Sequence, residues 1–140
     1  MIILDTNVLS ALMRVTPDTA VVDWLDRQPA ESIWITSVTL FEAHLGVELL
    51  PKGKRQRSLE AALDQLVTED LGNRVLDFDS SAAVEAAALA AARQKGGRPV
   101  DMRDTQIAGI ALARKASIAT RNVGHFEDVK VPIVNPWSVD

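Results

Sequence analysis

The 140-residue chain has no cysteine and only two histidines, His44 and His125. The first absence excludes disulfides and thiolate metal sites and suits a cytoplasmic protein. The second argues against a histidine-rich zinc centre. Any bound metal is therefore expected to be held by oxygen. No apolar stretch is long enough to span a bilayer, and no basic segment precedes the first apolar run, so neither a membrane helix nor a secretory leader is expected. Internal repeats, low-complexity tracts and linkers are missing too, which leaves residues 1–140 as one expected domain. The chain also lacks a G-x-S-x-G elbow and a P-loop. Basic excess is absent, since the net charge is −4, and this weighs against a nucleic-acid partner. The distribution softens that objection. Lys52, Lys54, Arg55 and Arg57 cluster in one segment, with further pairs at Arg93/Lys95 and Arg114/Lys115. The cluster reads either as a solvated helix entry or as a phosphate-contacting patch.

What is present is an ordinary globular composition, 47% hydrophobic and 24% charged, in a chain long enough to bury roughly two-thirds of its unfolded surface. Met1-Ile2-Ile3-Leu4 is a short apolar run closed by Asp5-Thr6-Asn7, the pattern of a buried parallel strand. Further strands are expected at Ile33–Thr36, Val75–Phe78, Ser117–Thr120 and Pro132–Val134. Helical periodicity fills the gaps, with apolar faces at Val21, Val22, Trp24 and Leu25 and at Leu59, Ala62, Leu63 and Leu66. The alanine-rich stretch Ser80 to Lys95 predicts a helix stopped by Gly96-Gly97 and Pro99. Strands alternating with helices imply an α/β sandwich around a mainly parallel sheet.

Three acids stand out against this pattern. Asp5 follows the first strand, where α/β sheets gather their ligands, although it could equally cap the next helix, Asn7 to Met13. Glu42 shares a helical stripe with Val38, Phe41, Leu45 and Leu49, the face expected to pack inward. The local alternative is a capping box, Thr39-x-x-Glu42. Asp104 shares a face with Ile107, Ala108 and Ala111, with Asp101 as the expected N-cap, or it is simply a first-turn acid favoured by the helix dipole. Buried carboxylates in one crevice repel one another unless a divalent cation neutralises them. Oxygen-only ligands select magnesium or manganese, and the chemistry such a site serves best is phosphodiester hydrolysis.

These segments resemble a known family. ILDTNVLSAL at the start, ITSVTLFEAHLGVELL around Glu42, DTQIAGIALA from Asp104, IATRNVGHF from Ile118 and the terminal NPW are similar, in order and spacing, to PIN-domain ribonucleases. The likeness is to VapC-type toxins of toxin–antitoxin pairs, in their FitB-like branch. The resemblance implies a three-layer PIN-like sandwich and a magnesium-dependent (or manganese-dependent) endoribonuclease acting on RNA. It also implies a toxin homodimer neutralised by a VapB-type antitoxin. It puts catalysis on Asp5, Glu42 and Asp104, with Asp5 and Asp104 as the direct metal ligands and Glu42 assisting through water or a second ion. Thr6 and Asn7 would orient Asp5, and Thr120 would line the site. Asn122 departs from the family, since some relatives carry a fourth aspartate there. It offers a carbonyl oxygen but no charge. His125 stands where other relatives carry an acid, near enough to touch substrate, whereas His44 is expected to pack or face solvent. Trp24, Trp34 and Trp137 are expected in the core or an interface.

Two other readings remain. A haloacid-dehalogenase-type phosphatase also begins with an aspartate after its first strand, but needs Asp-x-Asp where this chain has Asn7. A catalytically degenerate module binding RNA or a protein partner is favoured only by Asn122.

Overall fold

Each expected apolar run becomes a strand of one sheet in the computed structural model, which describes residues 1–138. The strands are β1 (Ile2–Leu4), β2 (Ile33–Thr36), β3 (Val75–Leu76), β4 (Ser117–Ala119) and β5 (Ile133–Val134). The third is shorter than expected, because the backbone turns away after Leu76, where Phe78 N–H bonds the Ser37 hydroxyl instead of a neighbouring strand. Six helices connect the strands: α1 (Thr6–Leu12), α2 (Thr19–Asp26), α3 (Ser37–Glu48), α4 (Lys54–Gln65), α5 (Ser80–Lys95) and α6 (Met102–Arg114).

The sheet order is β3-β2-β1-β4-β5, with every neighbouring pair parallel. After β3 the chain crosses back to the far side of β1, so the order reverses between β1 and β4. That reversal opens a crevice beyond the carboxyl ends of those two strands.

Alternation along the strands feeds two cores. Ile3 and Ile118 face one, with Ile107, Ala108 and Phe126, while Leu4 and Ala119 face the other, with Val8, Val21, Trp24 and Leu63. A sheet apolar on both faces must be covered on both, which gives three layers.

In α3, the expected inward stripe is wrong. Phe41 is 56% exposed and Leu49 75%, whereas Val38, Thr39 and Val47 are buried. Apolar residues run nearly all round this helix, so periodicity selects no face. The N-cap decides instead, since the Thr36 hydroxyl at the end of β2 accepts Thr39 N–H at 3.1 Å and fixes the helix's rotation.

The α5–α6 contact depends on small residues. A Cβ at Gly109 would stand 2.6 Å from the Ala82 carbonyl oxygen and 2.7 Å from Ala86 Cβ. One of these obstacles is backbone, so the helices would have to separate. Gly109→Ala is accordingly expected to lower stability by about 1–3 kcal/mol despite alanine's better helix propensity. A urea midpoint unchanged from wild type would disprove that close approach.

Candidate active site

Asp5 stands one residue beyond β1, and both readings of it hold together. It caps α1, its Oδ1 accepting Thr6 N–H at 2.8 Å. Its Oδ2 turns to the neighbouring strand and accepts the Thr120 hydroxyl at 2.8 Å and Asn7 Nδ2 at 3.3 Å. Asn7 Oδ1 accepts Arg121 N–H at 3.1 Å, and Thr120 Oγ1 accepts Asn122 N–H at 3.0 Å. The end of β1 is thereby laced to the turn after β4. Asp5 is only 3% exposed, and burial pushes its carboxyl above the ordinary aspartate value, with Asp104 and Glu42 adding to the rise and the Thr120 and Thr6 hydrogen bonds opposing it. An acid raised in this way is less stabilising to the fold once ionised, so its contribution is lost as pH rises through the raised value. A bound cation would reverse that.

Glu42 lies in the second turn of α3. Its Oε1 accepts the Thr6 hydroxyl at 2.9 Å, and Thr6 Oγ1 also lies 3.1 Å from Thr39 Oγ1. Arg103 Nη1 approaches Oε2 at 3.5 Å. The capping-box alternative fails, because Thr36 is the N-cap and Glu42 reaches α1 instead of its own helix start. Asp104 sits in the first turn of α6, where Asp101 is the expected cap, its Oδ1 accepting Asp104 N–H at 3.0 Å. Asp104 Oδ2 meets His125 Nδ1 at 2.8 Å.

All three acids line one cleft of about 450 Å³, together with Thr6, Asn7, Asp101, Asn122 and His125. Thr120 is buried beneath it. Arg14, Arg121 and Trp137 also border the cleft. A wider, mainly apolar cavity of about 760 Å³ adjoins it, sharing Thr6, Ser10, Arg14 and Glu42, with Lys54 and Arg55 at its rim.

Trp24 is buried and Trp137 packs partly against the core, as expected, and Trp137 also borders the acid cleft. Arg93, counted with Lys95 among the basic pairs, is only 4% exposed. Its Nε and Nη2 bind Asp128 Oδ2 and Oδ1, each at 2.8 Å. Nη1 donates to Thr105 Oγ1 at 2.9 Å, and Nη2 also donates to the His125 carbonyl at 2.8 Å. The residue after Asp104 is thus tied to the backbone that presents His125. The signal was available: Ala82, Ala86, Leu89 and Arg93 fall at i, i+4, i+7 and i+11, which puts the arginine on the inward face of α5.

A parallel sheet whose first strand delivers a buried aspartate to the switch point, beside helix-borne Glu42 and Asp104, makes an acid-lined α/β cleft. The PIN-domain family model matches residues 2–132, and the chain belongs to that family. Plasmid stability protein StbB of Pseudomonas syringae pv. tomato is 40% identical over 137 residues, 98% of this chain and 99% of its own. VapC ribonuclease Y4jK of Sinorhizobium fredii is 37% identical, covering 98% of each. The crystal structure of FitAcB from Neisseria gonorrhoeae superimposes with a TM-score of 0.89 at 34% identity, over 99% of this chain and 100% of that one.

Proposed function

We propose that the chain is a magnesium- or manganese-dependent endoribonuclease of the VapC toxin type, cutting RNA phosphodiester bonds and neutralised by a cognate VapB-type antitoxin. The observation that carries this reading is the convergence of Asp5, Glu42 and Asp104 on one cleft at the sheet's switch point. The relative named as a VapC ribonuclease supports the choice of RNA, and the ordered motifs support assembly as a homodimer with an antitoxin. Among the described residues, no helix is long and apolar enough to cross a membrane.

The donor chemistry fits a hard cation. Every group offered by Asp5, Glu42, Asp104 and Asn122 is oxygen or amide. Among the described residues, no three acidic or histidine side chains form a ready ligand cage. Magnesium needs none, because it keeps several waters and binds through one or two carboxylates. Asp5 and Asp104 are the residues that would hold it. When bound, the ion supplies a Lewis acid at the phosphoryl oxygen and makes water nucleophilic at neutral pH.

The chain's own residues do the rest. Thr6 fixes Glu42 by donating to Oε1, which leaves the carboxylate aimed to hold a water and take its proton. Thr120 and Asn7 lock the Asp5 carboxylate in one orientation. Asn7 donates to Asp5 where a phosphatase of the Asp-x-Asp kind would need a second acid.

The test is cleavage of single-stranded RNA by the purified protein, with and without chelator. Cleavage should vanish with chelator and return with magnesium. Intact RNA under all conditions would leave the non-catalytic module as the better reading. Magnesium should also raise the wild-type thermal midpoint, because a ligand that binds only the folded state stabilises it. In Asp104→Asn that rise should shrink along with calorimetric affinity; an undiminished rise would remove Asp104 from the metal site.

A further inference from the structure

We infer that Arg121, whose guanidinium lies over the ring of Trp137, is a binding site for a phosphate of the RNA strand beside the acid cleft. The inference rests on the ribonuclease reading and adds to it a residue pair that orients the strand. Both residues follow the carboxyl ends of adjacent strands. Thr120 N–H bonds the Val134 carbonyl at 2.9 Å, so the β4 and β5 exits run side by side. Arg121 leaves the first, and Asn135-Pro136-Trp137 leaves the second. There Asn135 Oδ1 accepts Trp137 N–H at 3.0 Å, an Asx turn that sets the direction of the indole.

The Trp137 ring packs partly against the core. The Arg121 guanidinium carbon lies 4.8 Å from its centroid. Trp is the strongest aromatic partner for a cation, and stacking holds the planar guanidinium without using its N–H donors. Those donors stay available, since Arg121 has no carboxylate partner among the described residues. The Arg121 backbone is also fixed, its N–H bonded to Asn7 Oδ1, two residues from Asp5. A rigid, unpaired guanidinium fork bordering the acid cleft suits a phosphodiester, which accepts two parallel N–H bonds. The acids of the cleft repel a polyanion, and a cation anchored at their edge counters that repulsion.

The experiment measures binding of a fluorescein-labelled single-stranded RNA oligonucleotide by anisotropy in calcium across a salt series, with steady-state cleavage in magnesium alongside. Arg121→Ala should weaken binding about tenfold, the order of one charge-assisted hydrogen bond. It should also reduce the slope of log K against log salt by about 0.7, the single-strand value for one phosphate. The larger share of the cleavage loss should fall on KM. Trp137→Leu should shift KM and affinity the same way, with Trp137→Phe restoring much of both. That rescue separates ring-held positioning from bulk packing. Wild-type protein that binds and cuts RNA while Arg121→Ala keeps its affinity and salt slope would overturn this inference alone. Wild-type protein that binds no RNA would overturn it together with the ribonuclease reading.

Discussion

Glu42→Gln is expected to lower kcat for RNA cleavage by about 10²–10⁴, the usual loss when a positioned proton acceptor is removed. The geometry separates this loss from misfolding. The glutamine carbonyl can still accept the Thr6 hydroxyl that now reaches Oε1 at 2.9 Å. The Arg103 contact is long, at 3.5 Å, and Arg103 is itself well exposed, so losing the charge removes only a weak surface pairing. Side-chain volume is unchanged, and Glu42 plays no part in capping its helix. The variant should therefore show the wild-type circular dichroism spectrum and thermal midpoint. Activity per folded molecule within a factor of three of wild type, at saturating magnesium, would remove Glu42 from the reaction.

The second large effect is structural. In Asp128→Asn, the buried Arg93 guanidinium loses its carboxylate partner. Because Asp128 is itself partly exposed, the cost should lie at or below the low end of that typical of a fully buried pair, about 3–5 kcal/mol. Because Arg93 also holds Thr105 and the His125 carbonyl, the damage should extend to the Asp104–His125 contact and reduce cleavage. The pH dependence follows from the same pair. The Arg93 hydrogen bonds hold the Asp128 carboxyl below its ordinary range. Its stabilising contribution is therefore complete above the unfolded value near 3.8 and fades as pH falls through the lower folded value. The stability gap between wild type and Asp128→Asn should be widest near neutrality and should close under acid. Urea unfolding at stepped pH measures it, and a gap that stays constant down to strongly acid pH would mean that the ion pair contributes little. The double variant Arg93→Met with Asp128→Leu should recover the part of the stability lost to the stranded charge, but not the cleavage, because it also removes the bonds to Thr105 and the His125 carbonyl.

The sequence by itself determined whatever is set between near neighbours along the chain. Apolar runs bounded by turn residues located all five strands, and Ile33–Thr36 and Ser80–Lys95 have the expected bounds. Asp101 and Asp5 are the helix caps their positions suggested. Asp104 announced itself as an acid sharing a face with Ile107, Ala108 and Ala111, which are fully buried. Such signals are legible because helix and strand periodicity, capping and glycine stops depend on a few consecutive residues.

Tertiary structure alone decided which distant residues meet. Asp5 and Thr120 are 115 positions apart and share a hydrogen bond because β1 and β4 are neighbours in the sheet. The neighbouring pair β4 and β5 likewise sets Arg121 above Trp137. His125 reaches Asp104 because the turn after β4 passes the start of α6, and Arg93 fastens that turn from behind. In α3, an almost continuous apolar circumference left the buried face to be chosen by the Thr36 cap, which freed Phe41 and directed Glu42 toward Thr6. The physical reason is the same throughout. A local pattern says that a side chain needs a partner, but strand order and helix rotation, fixed by the packing of the whole chain, determine which partner it finds.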